Sequence, residues 1–323
     1  MNKFTSFLAP LMQDYVFYQK ASGHWNESSY EPNLVLFDRY LKKQYPKAFL
    51  MSQEMVDGWC YKRDTETNNS CRSRIFVVAS FIRYLRKRTK TDILEPIIPR
   101  KERRRYIPHA FTDAELKNFF RACDSLPSVF HTPEQRSRKI TIPVFFRLLY
   151  SSGMRTNEAR MLRVEDVDLC YGTVNIRYCK GHAQHYVVLN DSMLKLLKIY
   201  DEAIRKQYPE RTYFFPARDN SFHTRKWVQA NFRELWDKYN SSHATAYELR
   251  HHYAIKNINR FTDEGFGFDA KLLYLSKSMG HSTLEATKYY YSLVPAIADI
   301  LEEKTKMDFD SIVPEVDCEA SDK

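Results

Sequence analysis

Met279-Gly280-His281-Ser282-Thr283-Leu284-Glu285-Ala286-Thr287-Lys288-Tyr289-Tyr290-Tyr291 packs a helix stop, a helix start and a run of phenols into one short stretch. Gly280 is a helix terminator, because glycine adopts the left-handed backbone that ends helices. Ser282 with Glu285 has the spacing of a capping box, which starts a new helix at once. On that helix Ala286 and Tyr290 lie one turn apart and share a face, while Tyr289 and Tyr291 are rotated by ~100° to either side. Only one of the tyrosines can face a given site. A tyrosine run is also an ordinary way to pack an amphipathic helix.

Three segments upstream carry comparable chemistry. Ser152-Gly153-Met154-Arg155-Thr156-Asn157-Glu158-Ala159-Arg160 holds an arginine and an acid just after a glycine. Val174, Ile176 and Tyr178 alternate, Cys179-Lys180-Gly181-His182 turns, and Tyr186-Val187-Val188-Leu189 resumes a strand. That pattern predicts a hairpin with Lys180 at its tip. In Tyr247-Glu248-Leu249-Arg250-His251, Thr245 and Glu248 have capping-box spacing, which sets Arg250 in the first turns of a helix where an anion is favoured. His251 and His252 are adjacent on a helix and do not converge on one ion, so no metal site is expected. Taken singly, each segment has a plain structural account: a salt-bridged arginine, a solvated turn lysine, a packed tyrosine.

The rest of the chain reads as mostly helical, with 8 glycines in 323 residues. Leu34, Phe37 and Leu41, then Ile75, Val78, Ala79, Ile82 and Leu85, follow helical spacing, so the first ~90 residues form several amphipathic helices. Residues 83–106 hold ten bases (Arg83, Arg86, Lys87, Arg88, Lys90, Arg100, Lys101, Arg103, Arg104, Arg105) against Asp92, Glu95 and Glu102. With Pro96 and Pro99 inside it, this stretch is expected to be an extended basic linker suited to lie along phosphates. A second domain begins near Phe111, where Thr112 and Glu115 again have capping-box spacing. Val228, Phe232, Leu235, Trp236 and Tyr239 mark a further amphipathic helix.

Composition narrows the class. Hydrophobic residues make up 43% and aromatics 15%, and the formal charge is +10. The segment 302–323 is acidic, so residues 1–301 carry still more positive charge. Such a surface favours a polyanion, either nucleic acid or an acidic membrane face. The cysteines (Cys60, Cys71, Cys123, Cys170, Cys179, Cys318) are scattered without a C-x-x-C pair, which suggests neither a disulfide framework nor zinc and fits a reducing compartment. The N-terminus lacks a signal-peptide core, and no apolar run reaches the ~18 residues of a membrane span. A soluble, cytoplasmic protein is expected.

Together, Gly-x-Arg-x-x-Glu, a hairpin lysine, x-x-x-Arg-His, and Gly-His-Ser followed by a tyrosine resemble the tyrosine recombinase (phage integrase) family in kind and order. The resemblance spans nearly the whole chain. It implies a fold that is mainly α with a small antiparallel β-sheet. An N-terminal helical DNA-clamping domain (residues 1–95) would be followed by a basic interdomain linker (96–108), a catalytic domain (109–301) and an acidic C-terminal tail (302–323). It implies double-stranded DNA as partner, cleaved and rejoined at specific sites with no cofactor, metal, membrane or small-molecule substrate. In the family the nucleophile lies nine positions after the Gly-His histidine, which selects Tyr290. That tyrosine would attack phosphorus to give a 3′-phosphotyrosine link and a free 5′ hydroxyl.

By the same resemblance, Arg155 and Arg250 would grip the non-bridging phosphate oxygens, where planar guanidinium forks suit the developing charge. Lys180 would protonate the departing 5′ oxygen, and His281 would bond the phosphate and support proton movement. Glu158 would orient Arg155, and Arg100, Lys101, Arg103, Arg104 and Arg105 would contact the DNA backbone. Two places depart from the pattern. Tyr247 stands where the family usually has histidine, and a phenol of pKa ~10 is a poor base at neutral pH, though it still donates a hydrogen bond. Residues 262–268 read as a loop insertion. Ile297, Ile300 and Leu301 form a short apolar stripe that either packs on its own domain or docks on a neighbour, in an assembly of four protomers on two DNA sites. Two other readings compete: a DNA-binding accessory protein with this fold and little catalysis, and a type IB topoisomerase.

Overall fold

A computed structural model describes residues 3–23, 25, 29–102, 108–127, 132–177, 184–259, 267–281 and 283–290. The chain divides into two compact units, Met1–Tyr106 and Ile107–Lys323. Among the described residues it is mostly helical with a small antiparallel sheet, as the resemblance implied.

The first unit is built from α1 (Ala9–Ala21), α2 (Tyr30–Gln44), α3 (Gln53–Cys60) and α4 (Asn68–Arg86). The expected stripes are its core: Leu34, Phe37 and Leu41 of α2 and Ile75, Val78, Ala79, Ile82 and Leu85 of α4 are buried. Two starts are capped by side chains, Ser52 accepting from the Met55 N–H and Thr67 from the Ser70 N–H, which satisfies donors the helix leaves orphaned. The segment read as an extended basic linker begins otherwise, since α4 runs through Arg86. The segment's prolines, Pro96 and Pro99, come after that point, and Arg83 and Arg86 sit in the last turn, where cations favour the helix. Beyond it, the chain lies along the first turns of α4. Asn68 donates to the Arg100 carbonyl (2.8 Å), Asn69 pairs with the Glu102 backbone (2.9 and 3.0 Å), and Arg72 donates to the Pro99 carbonyl (2.7 Å). Arg100 and Lys101 are exposed; Arg103, Arg104 and Arg105 lie outside the described residues.

The second unit opens with α5 (Asp113–Asp124), whose Thr112–Glu115 capping box forms in full, and α6 (Pro133–Ser152). The short α7 (Thr156–Arg160) follows. Then come β1 (Val167–Asp168), β2 (Thr173–Ile176) and β3 (His185–Val188), an antiparallel sheet in the order β1-β2-β3. The hairpin is present, with Val174 opposite Val187 and Ile176 opposite His185. Its turn and Tyr178 lie outside the described residues. Strand β1 was not anticipated, being too short to show alternation.

Helices α8 (Asp191–Arg205), α9 (Arg225–Trp236), α10 (Glu248–Asn259), α11 (Gly267–Ser278) and α12 (Glu285–Lys288) complete the unit. Three expectations are corrected here. Tyr239 is not on the α9 stripe but beyond the helix and exposed, because the chain turns after Trp236, whose indole N–H donates to the Ser242 carbonyl (2.7 Å). Gly267 and Phe268, read as the end of a loop insertion, are the first residues of α11, with residues 260–266 outside the description. The helix expected to carry Tyr290 stops after Lys288, and Tyr289 and Tyr290 continue in a tighter 3₁₀ turn. No helix among the described residues is long and apolar enough to cross a membrane.

Glu115 ties α5 to the segment before α10. Burial pushes its carboxyl up, but hydrogen bonds from Ser242, the Thr112 backbone and His109 outweigh this and hold it at about 2. A folded value below the ordinary 4.5 means that the fold favours the charged form. The resulting stability is present above about pH 4.5 and is lost as pH falls toward 2. The melting-temperature gap between the wild type and Glu115→Gln should therefore close over that range. A gap constant from neutral pH to pH ~2.5 would contradict this.

Candidate active site

Two helix ends build the site. Helix α6 stops at Gly153, whose φ of +65° is left-handed and whose N–H donates to the Leu149 carbonyl (3.1 Å). Helix α11 stops at Gly280 (φ +61°) in a Schellman motif: Gly280 N–H to the Lys277 carbonyl (2.9 Å) and His281 N–H to the Ser276 carbonyl (3.0 Å). Glycine is required twice over. A Cβ at Gly153 would lie 2.3 Å from the Tyr253 ring, and one at Gly280 would lie 2.4 Å from the His185 ring.

These two ends present carbonyls to two arginines. Arg250, near the start of α10, donates from Nη1 to the Gly153 carbonyl (2.6 Å) and from Nη2 to the Met279 carbonyl (2.7 Å). Its helix starts where Glu248 accepts from the Thr245 N–H (2.5 Å), the half of the expected box supplied by the acid, and from the His109 N–H (3.0 Å). Arg155 donates from Nη2 to the Gly280 carbonyl (2.9 Å). Its Nη1 and backbone N–H both reach Glu158 (2.6 and 2.8 Å). Burial pushes the Glu158 carboxyl up, yet Arg155 outweighs it and the group titrates below its usual range. A charged Glu158 thus holds Arg155 in place.

Arg250 is 1% exposed, and Arg155 keeps 21% of its side chain open. Burial, and after it the neighbouring Arg155 charge, pull the Arg250 guanidinium below its ordinary value. Among the described residues, its Nε–H finds no acceptor. A site with two clamped guanidiniums, one carrying an unused donor, is prepared for an anion.

His281 stands between Arg250 and Thr287. Its Nε2 lies 2.9 Å from Arg250 Nη2 and its Nδ1 lies 2.7 Å from the Thr287 hydroxyl. Arginine only donates, so Nε2 must accept, and the proton of the neutral ring is on Nδ1, donated to Thr287. Tyr290 is 4% exposed, its ring parallel to His281 (6.1 Å between centroids, 12°) and 5.5 Å from the His251 ring. Burial pushes its phenol up, and the Arg250 charge opposes that rise. Tyr289, by contrast, is 40% exposed. Tyr247 is 43% exposed and edge-on to His251 (5.1 Å), a ring that burial holds neutral, with a pKa of about 4.

The structure thus brings together Arg155, Glu158, Arg250, His281 and Tyr290, with Tyr247 at the edge. Lys180, Ser282, Tyr291 and the stripe Ile297, Ile300 and Leu301 lie outside the described residues. Two features escaped the sequence. One is the use of backbone carbonyls at Gly153, Met279 and Gly280 as arginine anchors. The other is Thr287, fully buried, which shares a helical face with Tyr290 at i, i+3 and was legible only as that spacing. Replacing Thr287 with valine keeps the shape but removes the acceptor. Ring ¹⁵N spectra should then show His281 leaving the single Nδ1–H tautomer, whereas an unchanged spectrum would contradict the assignment.

Residues 115–296, more than half of the chain, match the model of the phage integrase family. Tyrosine recombinase XerD of Staphylococcus saprophyticus is 29% identical over 147 residues, which cover 44% of this chain and 47% of that relative, about half of each. Tyrosine recombinase XerC of Bacillus subtilis is 23% identical over 87% of this chain and 90% of the relative. The solved XerH site-specific recombinase, bound to palindromic difH substrate in a post-cleavage complex, shares the fold with a TM-score of 0.56. That likeness covers 86% of this chain and 78% of the XerH chain at 18% identity. On the extent of the family match, carried by a fold and a residue order that agree with it, the chain belongs to the phage integrase family, the tyrosine recombinases.

Proposed function

We propose that this chain is a site-specific recombinase that cleaves and rejoins double-stranded DNA through a 3′-phosphotyrosine at Tyr290. The observation that carries this reading is a buried phenol stacked on His281 beside a buried, carbonyl-anchored arginine. In the cleavage step the Tyr290 oxygen bonds to phosphorus, the bond from phosphorus to the 5′ oxygen breaks, the phenol loses its proton and the departing oxygen gains one. The new ester conserves the bond energy, so rejoining by the 5′ hydroxyl runs the step backwards with no nucleotide consumed.

Each side chain has a place in that step. Arg155 and Arg250 take the non-bridging oxygens with the N–H groups their carbonyl anchors leave over. Glu158 keeps Arg155 oriented. His281 carries an acceptor at Nε2 in the unbound site, suited to the phenol proton once the Arg250 N–H it holds turns to the phosphate, with Arg250 still on its carbonyl anchors. Lys180 is proposed as the acid for the leaving oxygen, a role worth ~10²–10⁴ in rate for such groups. Tyr247 is exposed and donates a hydrogen bond to the phosphate rather than acting as a base. Arg100, Lys101, Arg103, Arg104 and Arg105 contact the DNA backbone from the linker 96–108, between a DNA-clamping domain 1–95 and a catalytic domain 109–301, with 302–323 as a tail. Four protomers act on two DNA sites in the cytoplasm. Integration, excision and resolution all use this one strand exchange.

The accessory-protein reading loses ground, because the anchored arginines and the buried tyrosine are all retained. A nicked DNA substrate carrying the cognate site lets the 5′ fragment diffuse away and traps the adduct. The wild type should form a covalent protein–DNA species that Tyr290→Phe does not. Absence of the adduct in the wild type, or its persistence in Tyr290→Phe, would overturn the assignment.

A further inference from the structure

Strand β3 alternates between core and solvent, with His185 and Val187 inward and Tyr186 and Val188 outward. Val187 is an ordinary core residue, but His185 puts a polar ring in an inward position at the strand's first residue, opposite the buried Ile176. The ring does not face the apolar core alone. A Cβ on Gly280 would lie 2.4 Å from its Cε1, 2.7 Å from its Nδ1 and 2.9 Å from its Nε2. Three ring atoms at nearly equal reach mean that the imidazole lies over the bare Cα of Gly280. That glycine closes the Schellman turn of α11, its carbonyl anchors Arg155, and the residues on either side are Met279, which anchors Arg250, and His281.

We infer that His185 is a positioning residue for strand cleavage: its ring braces the Gly280 turn and so holds the carbonyl that aims Arg155. Glycine provides the left-handed turn but no side chain of its own to keep that turn in place, and the neighbouring strand supplies the missing bulk. A flat ring is required because the gap is the space over one Cα. Alanine would leave it unfilled, and a branched aliphatic chain would not lie flat in it. The role is one of shape and support, and His185 itself makes no contact with the reacting phosphate. This inference rests on the recombinase reading above for its consequence in cleavage, but not for its geometry.

The test uses the full chain with His185→Ala, His185→Phe and Gly280→Ala, on nicked DNA with either the normal scissile phosphate or a methylphosphonate there. His185→Ala should slow cleavage at saturating DNA on the order of 10-fold, since small displacements of a positioning group cost that much or more, with DNA affinity little changed. Its deficit should narrow on the methylphosphonate, which has lost the non-bridging charge that Arg155 serves. A general weakening of the fold would slow both substrates alike. His185→Phe, which keeps a flat ring, should stay near the wild type. Combining Gly280→Ala with His185→Ala should cost less than the product of the two single effects, because the new methyl group enters the vacated space. Amide hydrogen exchange at Gly280 and His281 gives a readout independent of DNA, faster in His185→Ala and unchanged in His185→Phe.

Wild-type cleavage in His185→Ala, an equal deficit on both substrates, or unaltered exchange at Gly280 and His281 would each overturn the inference. If the wild type itself fails to cleave, the recombinase reading fails, and the exchange measurement still decides the role of His185.

Discussion

Arg250 places a full positive charge at 1% exposure, and the architecture around the site is what makes that charge tolerable. Stranding a buried ion by removing its partner costs about 3–5 kcal/mol. Besides the His281 ring, it donates to the carbonyls of Gly153 and Met279, at the C-terminal ends of α6 and α11. A helix C-terminus carries roughly half a negative charge, so two converging ends act as a distributed counter-ion. A carboxylate in contact would neutralise the guanidinium and compete with a phosphate for it. Carbonyl dipoles hold the charge and leave it available.

The neighbouring arginine is treated differently, and the contrast follows from exposure. Arg155 is partly open, and its fork is divided between a charged Glu158 and the Gly280 carbonyl. Because Gly280, Met279 and His281 are consecutive, one turn at the end of α11 sets both arginines and the histidine. The Thr287 hydroxyl then fixes which nitrogen of His281 carries the proton. With the ring in that state, its Nε2 accepts from Arg250, and Tyr290 lies parallel to the same ring.

Much of this was legible in the sequence because it rests on local rules. The apolar spacing of α2 and α4, the Thr112–Glu115 cap and the paired strands of the hairpin follow from periodicity and capping chemistry, which need no tertiary information. The order of Arg155, Arg250, His281 and Tyr290 was legible by resemblance. Tyr290 was chosen by its offset from His281; of the two tyrosines, it is buried and Tyr289 is exposed. What stayed hidden was non-local. Nothing in the sequence says that the Gly153 carbonyl meets a guanidinium 97 residues away, or that His185 lies over Gly280. The end of α9 was misplaced because the Trp236 indole bonds forward to Ser242, a side-chain contact that periodicity does not register. The 3₁₀ turn at Tyr289 and Tyr290 likewise departs from an ideal helical phase.

The central claim is that carbonyl-anchored guanidiniums meet the phosphate without giving up their anchors. A crystal structure of the Tyr290→Phe variant on uncleaved cognate DNA tests it most directly. The account predicts that Arg250 keeps its bonds to Gly153 and Met279, that Arg155 keeps its bond to Gly280, and that both turn their remaining N–H groups to the non-bridging oxygens with residue 290 beside the phosphorus. Guanidiniums that had left those carbonyls to reach the phosphate, or a phosphate seated away from residue 290, would contradict it.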